Sequence, residues 1–270
     1  MQTIAARTFD IGYMDALAGG DTALHRLDAR AKVVVTLLFI VFVVSFGRYE
    51  ISRLTPFFLY PVFLVSAGEL PAGYLLRKAL AAAPFAFFVG AFNPFLDRAV
   101  LFHLGPLAVS GGMASFLSIL LRFFLTVTAA LCLVALTGVN GACAALESLG
   151  VPRVFAAQLL FLNRYLTVLA GEAGRMARAR ALRAFGAPPP GPSLFARLAG
   201  QLLLRSYARA ERVYSAMLCR GFDGSLPLPG RSAFGRRDAA FVAAWAGLFV
   251  LFRSVDVPRA LGILLTGLFK

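Results

Sequence analysis

The sequence predicts an all-α polytopic membrane protein with about five or six transmembrane helices and a pair of long amphipathic helices on the cytoplasmic side. Of its 270 residues, 59% are hydrophobic and only 15% are charged, which is too apolar for the surface of an ordinary water-soluble domain. Long apolar runs fill the first half of the chain. They are followed by a stretch over 151–237 that holds 14 of the 27 Lys and Arg residues but only three acidic residues. This contrast separates membrane spans from a basic cytoplasmic region.

Three regions follow from this distribution of charge. Residues 1–138 are predicted to form an N-terminal transmembrane region of about four spans. Residues 139–237 are predicted to form a cytoplasmic helical region, and 238–270 a C-terminal transmembrane region. The basic residues flank the apolar runs, as the positive-inside tendency predicts for cytoplasmic loops. Nucleic acid is therefore a poor explanation of the net charge of +14.

Four apolar runs predict the N-terminal spans. The run 33–46 follows three basic residues, so it is expected to start on the cytoplasmic side. The run 54–67 contains two prolines that are expected to kink the helix, and the run 79–96 is rich in Ala and Phe. The run 113–137 is the longest. Four spans return the chain to the cytoplasm near Gly138, which is where the arginines begin.

Arg122 places a charge inside the fourth run. A charge near the centre of a bilayer is costly and often functional. Its long side chain can also reach outward to the interface or pair with a neighbour. The sequence leaves both roles open.

Two amphipathic helices are predicted over the basic stretch. Apolar residues of the first recur at alternating spacings of four and three and so share one face: Phe155, Leu159, Leu162, Leu166, Leu169, Ala173 and Met176. The proline-rich segment 188–192 ends this helix, and a second follows over about 193–219. The apolar face of the second is formed by Leu203, Tyr207, Ala210, Tyr214 and Met217. Each face is expected to pack against a partner helix, and Gly221 is expected to end the second helix.

The C-terminal part contains two further apolar segments. The run 239–252 predicts another span. The segment 260–269 predicts either a terminal hairpin partner or an interfacial segment. The number of C-terminal crossings is therefore open.

No catalytic or metal-binding motif is evident in the sequence. The chain has only three lysines, and none lies between Gly and Ser or Thr as in a phosphate-binding P-loop. His25 and His103 lack nearby ligands at metal-binding spacing, and the three cysteines have no CxxC spacing. We expect a non-catalytic chain that binds no cofactor and no metal itself.

Three segments, in order along the chain, resemble a known family. They are LHRLDARAK before the first run, EAGRMARARALRAFG at the end of the first amphipathic helix, and RAERVYSAMLCRGFDG at the end of the second. These segments are similar to those of the transmembrane T component of energy-coupling factor (ECF) transporters, and most similar to CbiQ of the cobalt and nickel importers. The resemblance covers nearly the whole chain. It implies a coupling subunit that transmits ATP-driven motion from cytoplasmic ATPases to a separate substrate-binding membrane subunit.

The resemblance also implies partners and a location. The expected partners are two cytoplasmic ABC ATPase subunits similar to CbiO, which bind the ATP, and a membrane subunit similar to CbiM. A small accessory subunit similar to CbiN and membrane lipid are further expected partners, whereas nucleic acid is not. The expected location is the bacterial cytoplasmic (inner) membrane. Cobalt is the expected substrate; the alternatives are a nickel or vitamin importer of the same kind, or a membrane scaffold or carrier unrelated to ATPases.

In this family, two short signatures of the Ala-Arg-Gly kind lie near the ends of the coupling helices, and their arginines contact the ATPases. The second signature matches Cys219-Arg220-Gly221, with Cys in place of Ala. Two segments match the first: Leu182-Arg183-Ala184 by its distance from an upstream glutamate, and Ala179-Arg180-Ala181 by its letters. The resemblance therefore implies Arg220 and either Arg183 or Arg180 as docking residues. An arginine at a helix C-terminus suits this role, because the helix dipole favours the cation and the planar guanidinium binds carboxylates in bidentate fashion.

Overall fold

The chain is helical in the computed structural model, which describes residues 13–47, 49–93, 100–104, 107–185, 191–223 and 234–255. The main helices in this part of the chain are α1 (Ala29–Val44), α2 (Ile51–Ala67), α3 (Ala72–Ala91), α4 (Gly111–Ser148), α5 (Arg153–Arg183), α6 (Pro192–Leu218) and α7 (Arg236–Ser254). A small antiparallel hairpin of β1 (Val100–Leu104) and β2 (Leu107–Ser110) precedes α4. The predicted all-α polytopic class is confirmed. The segment 260–269 and the prolines at 188–190 lie outside the described residues.

Each of the four predicted N-terminal runs forms a helix over residues that the structure describes. The prolines of the second run produce a local change: α2 contains a 3-10 turn, Thr55–Phe58, with Pro56 in its first turn. Pro84 lies inside α3 without ending it. A proline removes one donor from a helix, and a neighbouring 3-10 turn or adjacent group can satisfy the carbonyl that is left.

Among the described residues, three helices are long and apolar enough to cross a membrane: α3, α4 and α5. Helix α1 is as apolar but has 16 residues, which corresponds to about 24 Å of rise. Helix α5 meets the same criterion by length and composition, although its pattern predicts a cytoplasmic amphipathic helix. Its apolar part precedes Glu172, and its last twelve residues, 172–183, carry five charged side chains.

The chain divides into two compact units. The first, here called the basic unit, comprises 1–16 and 139–231. The second, the apolar unit, comprises 17–138 and 232–270. Helices α1, α2, α3 and α7 belong to the apolar unit, and α5 and α6 belong to the basic unit.

Aromatic side chains from α1, α2 and α7 form the core of the apolar unit. The ring of Phe249 lies 5.6 Å from that of Phe39, 5.5 Å from Tyr60 and 5.7 Å from Trp245, measured between centroids. Phe39 and Phe249 are fully buried. The Tyr60 hydroxyl forms a 2.8 Å hydrogen bond with Thr36, so its polar end has a partner inside this core. Close ring packing of this kind holds α7 against α1 where lipid supplies no hydrophobic driving force between helices.

Helix α4 is broken at Gly138, the last residue of the apolar unit's first segment. Gly138 has φ 66° and ψ 165°, a conformation that essentially only glycine adopts. In the apolar unit the ammonium of Lys32 donates to the carbonyl oxygen of Leu136, 3.0 Å away. In the basic unit the carboxylate of Asp15 accepts from the amide of Val139 at 3.4 Å. A cation therefore caps the C-terminal end of the part of α4 before Gly138. An anion caps the N-terminal end of the part after it, and helix dipoles favour both arrangements.

Arg122 points to the end of α1. Its guanidinium donates to the carbonyl oxygen of Gly47, and its charge interacts with Glu50. Glu50 also lies 3.4 Å from Arg53 and 3.9 Å from Arg253. The geometry therefore matches the outward-reaching alternative for Arg122, in which the side chain anchors neighbouring segments.

Candidate functional site

The second docking motif lies at a well-defined helix end. The amide of Phe222 donates to the carbonyl of Met217 at 3.0 Å, and the amide of Gly221 donates to that of Leu218 at 3.0 Å. Gly221 has φ 77°. These two bonds around a left-handed glycine form a Schellman motif, which confirms Gly221 as the residue that ends α6. Arg220 directly precedes this glycine, and its side chain is exposed.

The first motif lies at the end of α5. Both candidate arginines are in the last turn of the helix. Arg183 is its final residue and is exposed, whereas Arg180 is half-buried one turn earlier. Leu182 is 81% exposed, and Ala184 caps the helix through a hydrogen bond to Ala181. By position and exposure, Arg183 corresponds to Arg220.

A phenylalanine follows each motif, and neither phenylalanine was among the site residues predicted from the sequence. Phe185 has φ 37° and is 95% exposed, which is unusual for a large apolar side chain. Phe222 follows the second motif and is half-buried. The repeated letters Arg-Ala-Phe and Arg-Gly-Phe are a signal that could have identified both residues.

An ion-pair cluster joins the two helices. Arg205 of α6 donates to the carboxylate of Glu172 on α5 at 2.9 Å, and Arg175 pairs with the same carboxylate. Hydrogen bonds from Arg175 and then Arg205 hold the pKa of Glu172 below its ordinary value. The glutamate therefore stays ionised at neutral pH. All three side chains are partly or largely exposed, so solvent screening keeps the contribution of the cluster to stability small.

A groove of about 620 Å³ separates α5 from α6. The predicted apolar face of α6 is confirmed as its wall: Leu203, Tyr207, Ala210, Tyr214 and Met217 all line the groove. Of the apolar face predicted for α5, only Leu169 lines the groove. The groove is lined instead by Val154, Ala157, Gln158, Phe161 and Tyr165, while Phe155, Leu159, Leu162 and Leu166 are exposed. The first half of α5 is apolar around most of its circumference, so spacing alone could not identify the face that meets α6.

The groove also shows that α5 and α6 run in opposite directions. Val154, near the start of α5, and Phe222, just beyond the end of α6, line the same groove. Arg220 therefore lies towards the N-terminal end of α5, and Arg183 lies at the opposite end. At 1.5 Å per residue, the part of α5 between Val154 and Arg183 spans about 44 Å. The two exposed arginines thus occupy opposite ends of the helix pair.

Replacing Gly221 with alanine is expected to lower the free energy of unfolding by about 1 kcal/mol, because a Cβ disfavours the left-handed conformation. No atom lies within 4 Å of the position that this Cβ would take, so the cost is in the backbone and not in packing. Unfolding of the purified chain in detergent measures the change. Gly200→Ala is the matched control: Gly200 also faces open space but lies inside α6, so its replacement should raise stability. Equal effects of the two variants would contradict the Schellman geometry.

No group of three or more His, Cys, Asp or Glu side chains is close enough to hold a metal ion within the described ranges. Cys132 and Cys143 are buried free thiols, and Cys219 of the second motif is exposed. His25 lies within hydrogen-bond distance of the Thr22 hydroxyl, at 2.7 Å, and of the Leu17 carbonyl, at 3.0 Å.

Comparison with known proteins identifies the family. The model of the CbiQ family, described as cobalt transport protein, matches residues 20–229. The chain is also similar to a putative fused cobalt transport protein CbiMQ from Methanocorpusculum labreanum, with 28% identity over 197 residues. That match covers 71% of this chain and 31% of the relative, so the chain spans about a third of the relative's length. The family match includes α1 to α6 and both segments that resemble the Ala-Arg-Gly signatures. This multi-pass membrane protein belongs to the CbiQ cobalt transport protein family.

Proposed function

We propose that this chain is the T component of an ECF-type ABC importer and couples ATP hydrolysis by cytoplasmic subunits to transport of cobalt ions. The observation that carries the proposal is the placement of Arg183 and Arg220 at opposite ends of an antiparallel helix pair. Each arginine is exposed at a helix C-terminus, where it can reach a carboxylate or a helix-end carbonyl of a partner. The ion pair between the two helices uses Glu172 and Arg205 and neither of these two arginines.

The separation of the two arginines supports two ATPase subunits. A span of about 44 Å is larger than the diameter of about 10–12 Å of a single partner helix, so one short contact cannot engage both ends. Two copies of an ATPase, similar to CbiO, can each take one end. In this proposal the partners bind the ATP, and the chain itself binds no cofactor and is not an enzyme.

The ion pair between α5 and α6 supports a mechanical role. Beyond Glu172 and Arg205, the helices diverge around the open groove, which leaves room for them to pivot. Closure of the two ATPases upon ATP binding would move the helix ends, and the helices would pass this motion to the substrate-binding membrane subunit. Arg180 remains an alternative first docking residue because it lies in the same helical turn as Arg183.

A membrane partner similar to CbiM is supported by two observations. The relative is named as a fused CbiMQ protein, and a fusion joins parts that act together. The exposed apolar face of α5, formed by Phe155, Leu159, Leu162 and Leu166, suits contact with a membrane subunit and not with water. A small accessory subunit similar to CbiN would complete the assembly in the bacterial cytoplasmic membrane. Cobalt is favoured over nickel or a vitamin because the family and the relative are both described as cobalt transport proteins.

The test is isolation of the complex from native membranes with a tagged form of this chain. We expect ABC ATPase subunits and a second membrane protein to accompany it, together with ATP hydrolysis. A similarly tagged, unrelated membrane protein of the same cells is the control. Recovery of the chain without any ATPase would overturn the proposal and favour a scaffold or carrier that works without ATP.

A further inference from the structure

A second basic feature lies in the apolar unit, where the segment before α1 meets the start of α7. A pocket of about 700 Å³ opens there. Three arginines line it, Arg26 from the segment before α1 and Arg236 and Arg237 from the first turn of α7. Leu24, Leu27 and Phe241 also line it. The pocket therefore combines cationic side chains with an apolar surface.

The acidic residues at this pocket are already engaged. The two carboxylate oxygens of Asp238 accept from the amides of Asp28 and Gly235, each at 2.8 Å, and the residue is only 7% exposed. Arg26 pairs with Asp21 at 3.0 Å, but both side chains are at least 70% exposed, so water screens this pair. Arg236 and Arg237 are exposed and have no ion pair within the part of the chain that the structure describes. The excess positive charge at the pocket therefore comes from these two side chains.

The N-terminus of α7 does not form the anion-binding site by itself. Asp238 lies in the first turn of α7, and its carboxylate accepts a hydrogen bond from the amide of Gly235. A ligand would instead meet the guanidinium groups, whose planar donors fit phosphate oxygens in bidentate fashion. The chemistry of the pocket therefore selects an anion with several oxygens.

The apolar lining narrows the class of anion. Leu24 is 4% exposed, and Leu27 and Phe241 are half-buried beside the arginines. A soluble anion would leave this surface in water, whereas a phospholipid would cover it with its glycerol and first methylene groups. The pocket lies at the starts of two apolar helices, which the charge pattern places on the cytoplasmic side. Basic pockets at that level of a membrane protein suit anionic lipid headgroups.

We propose that the pocket between Arg26 and the start of α7 binds the phosphate headgroup of an anionic phospholipid. Arg236 and Arg237 contact the phosphate, Arg26 adds charge at the rim, and Leu27 and Phe241 contact the start of the acyl chains. All the residues that line the pocket belong to the apolar unit. One bound lipid would also tie the segment before α1 to α7.

Native mass spectrometry of the full chain in detergent tests the proposal, with phosphatidylglycerol and phosphatidylcholine as probes. We expect the wild-type chain to retain phosphatidylglycerol in preference to phosphatidylcholine. Arg236→Gln with Arg237→Gln should weaken the apparent affinity for phosphatidylglycerol at least about tenfold, as expected from the loss of charge-assisted hydrogen bonds. The pair Arg236→Lys with Arg237→Lys keeps the charge but loses the bidentate guanidinium contacts, so its affinity should fall between those of the wild type and the glutamine variant. Arg77→Gln with Arg197→Gln removes the same charge from two exposed arginines that do not line the pocket and should have little effect.

Several results would overturn the proposal. If the glutamine variants of the pocket and of the control arginines lose the same affinity for phosphatidylglycerol, net charge and not this pocket attracts the lipid. Unchanged affinity in the pocket variant, with its unfolding temperature preserved, would exclude the site. Displacement of the lipid by millimolar inorganic phosphate would identify a free anion as the ligand. If the glutamine variant fails to fold, the lysine variant and Phe241→Ala, which removes apolar contact without changing charge, provide the test.

Discussion

Reversing the charge of both docking arginines, Arg183→Glu with Arg220→Glu, is expected to release the ATPase subunits from the complex. Each arginine is exposed at a helix end and can form charge-assisted hydrogen bonds, which contribute about 1.5–3 kcal/mol apiece. Loss of two such contacts, with repulsion added by the new carboxylates, should weaken ATPase binding by more than about 100-fold. Co-purification of ATPase subunits with the tagged chain measures the effect, and cobalt uptake by cells should fall with it.

The control for this experiment uses arginines of the same helices. Arg178→Glu with Arg212→Glu changes the charge by the same amount at exposed positions that are not at the helix ends. This pair should retain most of the bound ATPase. If both double variants lose it equally, the basic surface acts through its overall charge and the two motifs have no special role. If neither loses it, the coupling proposal is wrong.

Single variants distinguish the two candidates for the first docking residue. Arg183→Glu should weaken ATPase binding more than Arg180→Glu, because Arg183 is exposed at the last residue of α5 whereas Arg180 is half-buried one turn earlier. The opposite order would assign the role to Ala179-Arg180-Ala181. The sequence alone could not make this choice, since it shows neither where the helix ends nor which arginine is exposed.

Helix α6 shows how far the sequence could predict the candidate site. Its bounds were predicted to within about one residue, because Pro192 and Gly221 mark its ends and each has a clear conformational meaning. Its apolar face was also predicted correctly, since arginines occupy much of the remaining surface. A helix with one apolar stripe leaves a single choice of contact face.

Helix α5 shows where such reasoning stops. Apolar residues surround its first half, so several stripes satisfy the same spacing, and the stripe chosen from the sequence is mostly exposed. For the break in α4, the sequence indicated the position, since the fourth apolar run ends at 137, but not the contacts that fix it. Gly138 follows a long apolar run that reads as one span, and only long-range contacts from Lys32 and Asp15 fix the two helix ends beside it. Contacts between residues more than a hundred positions apart leave no local pattern in the sequence.

Lys32→Met is expected to be strongly destabilising to the apolar unit. Lys32 is 4% exposed, and its ammonium donates to the carbonyl of Leu136 beside the break in α4. The same ammonium interacts electrostatically with Asp28 and Asp238, which are 5% and 7% exposed. Methionine fills a similar volume but leaves a buried carbonyl without its donor and removes a cation that interacts with two buried carboxylates. Such losses cost about 2–4 kcal/mol of the free energy of unfolding.

Lys78→Met makes the identical substitution at a less buried position and serves as the matched control. Lys78 lies over the ring of Tyr74, 5.5 Å from its centroid, a contact that contributes about 0.5–1 kcal/mol. Unfolding of the two purified variants in mixed detergent micelles should therefore show a much larger loss for Lys32→Met. Equal losses would mean that the break at Gly138 does not depend on a buried cation. A large loss confined to Lys32→Met would identify this residue as the one that lets a glycine interrupt an otherwise continuous membrane helix.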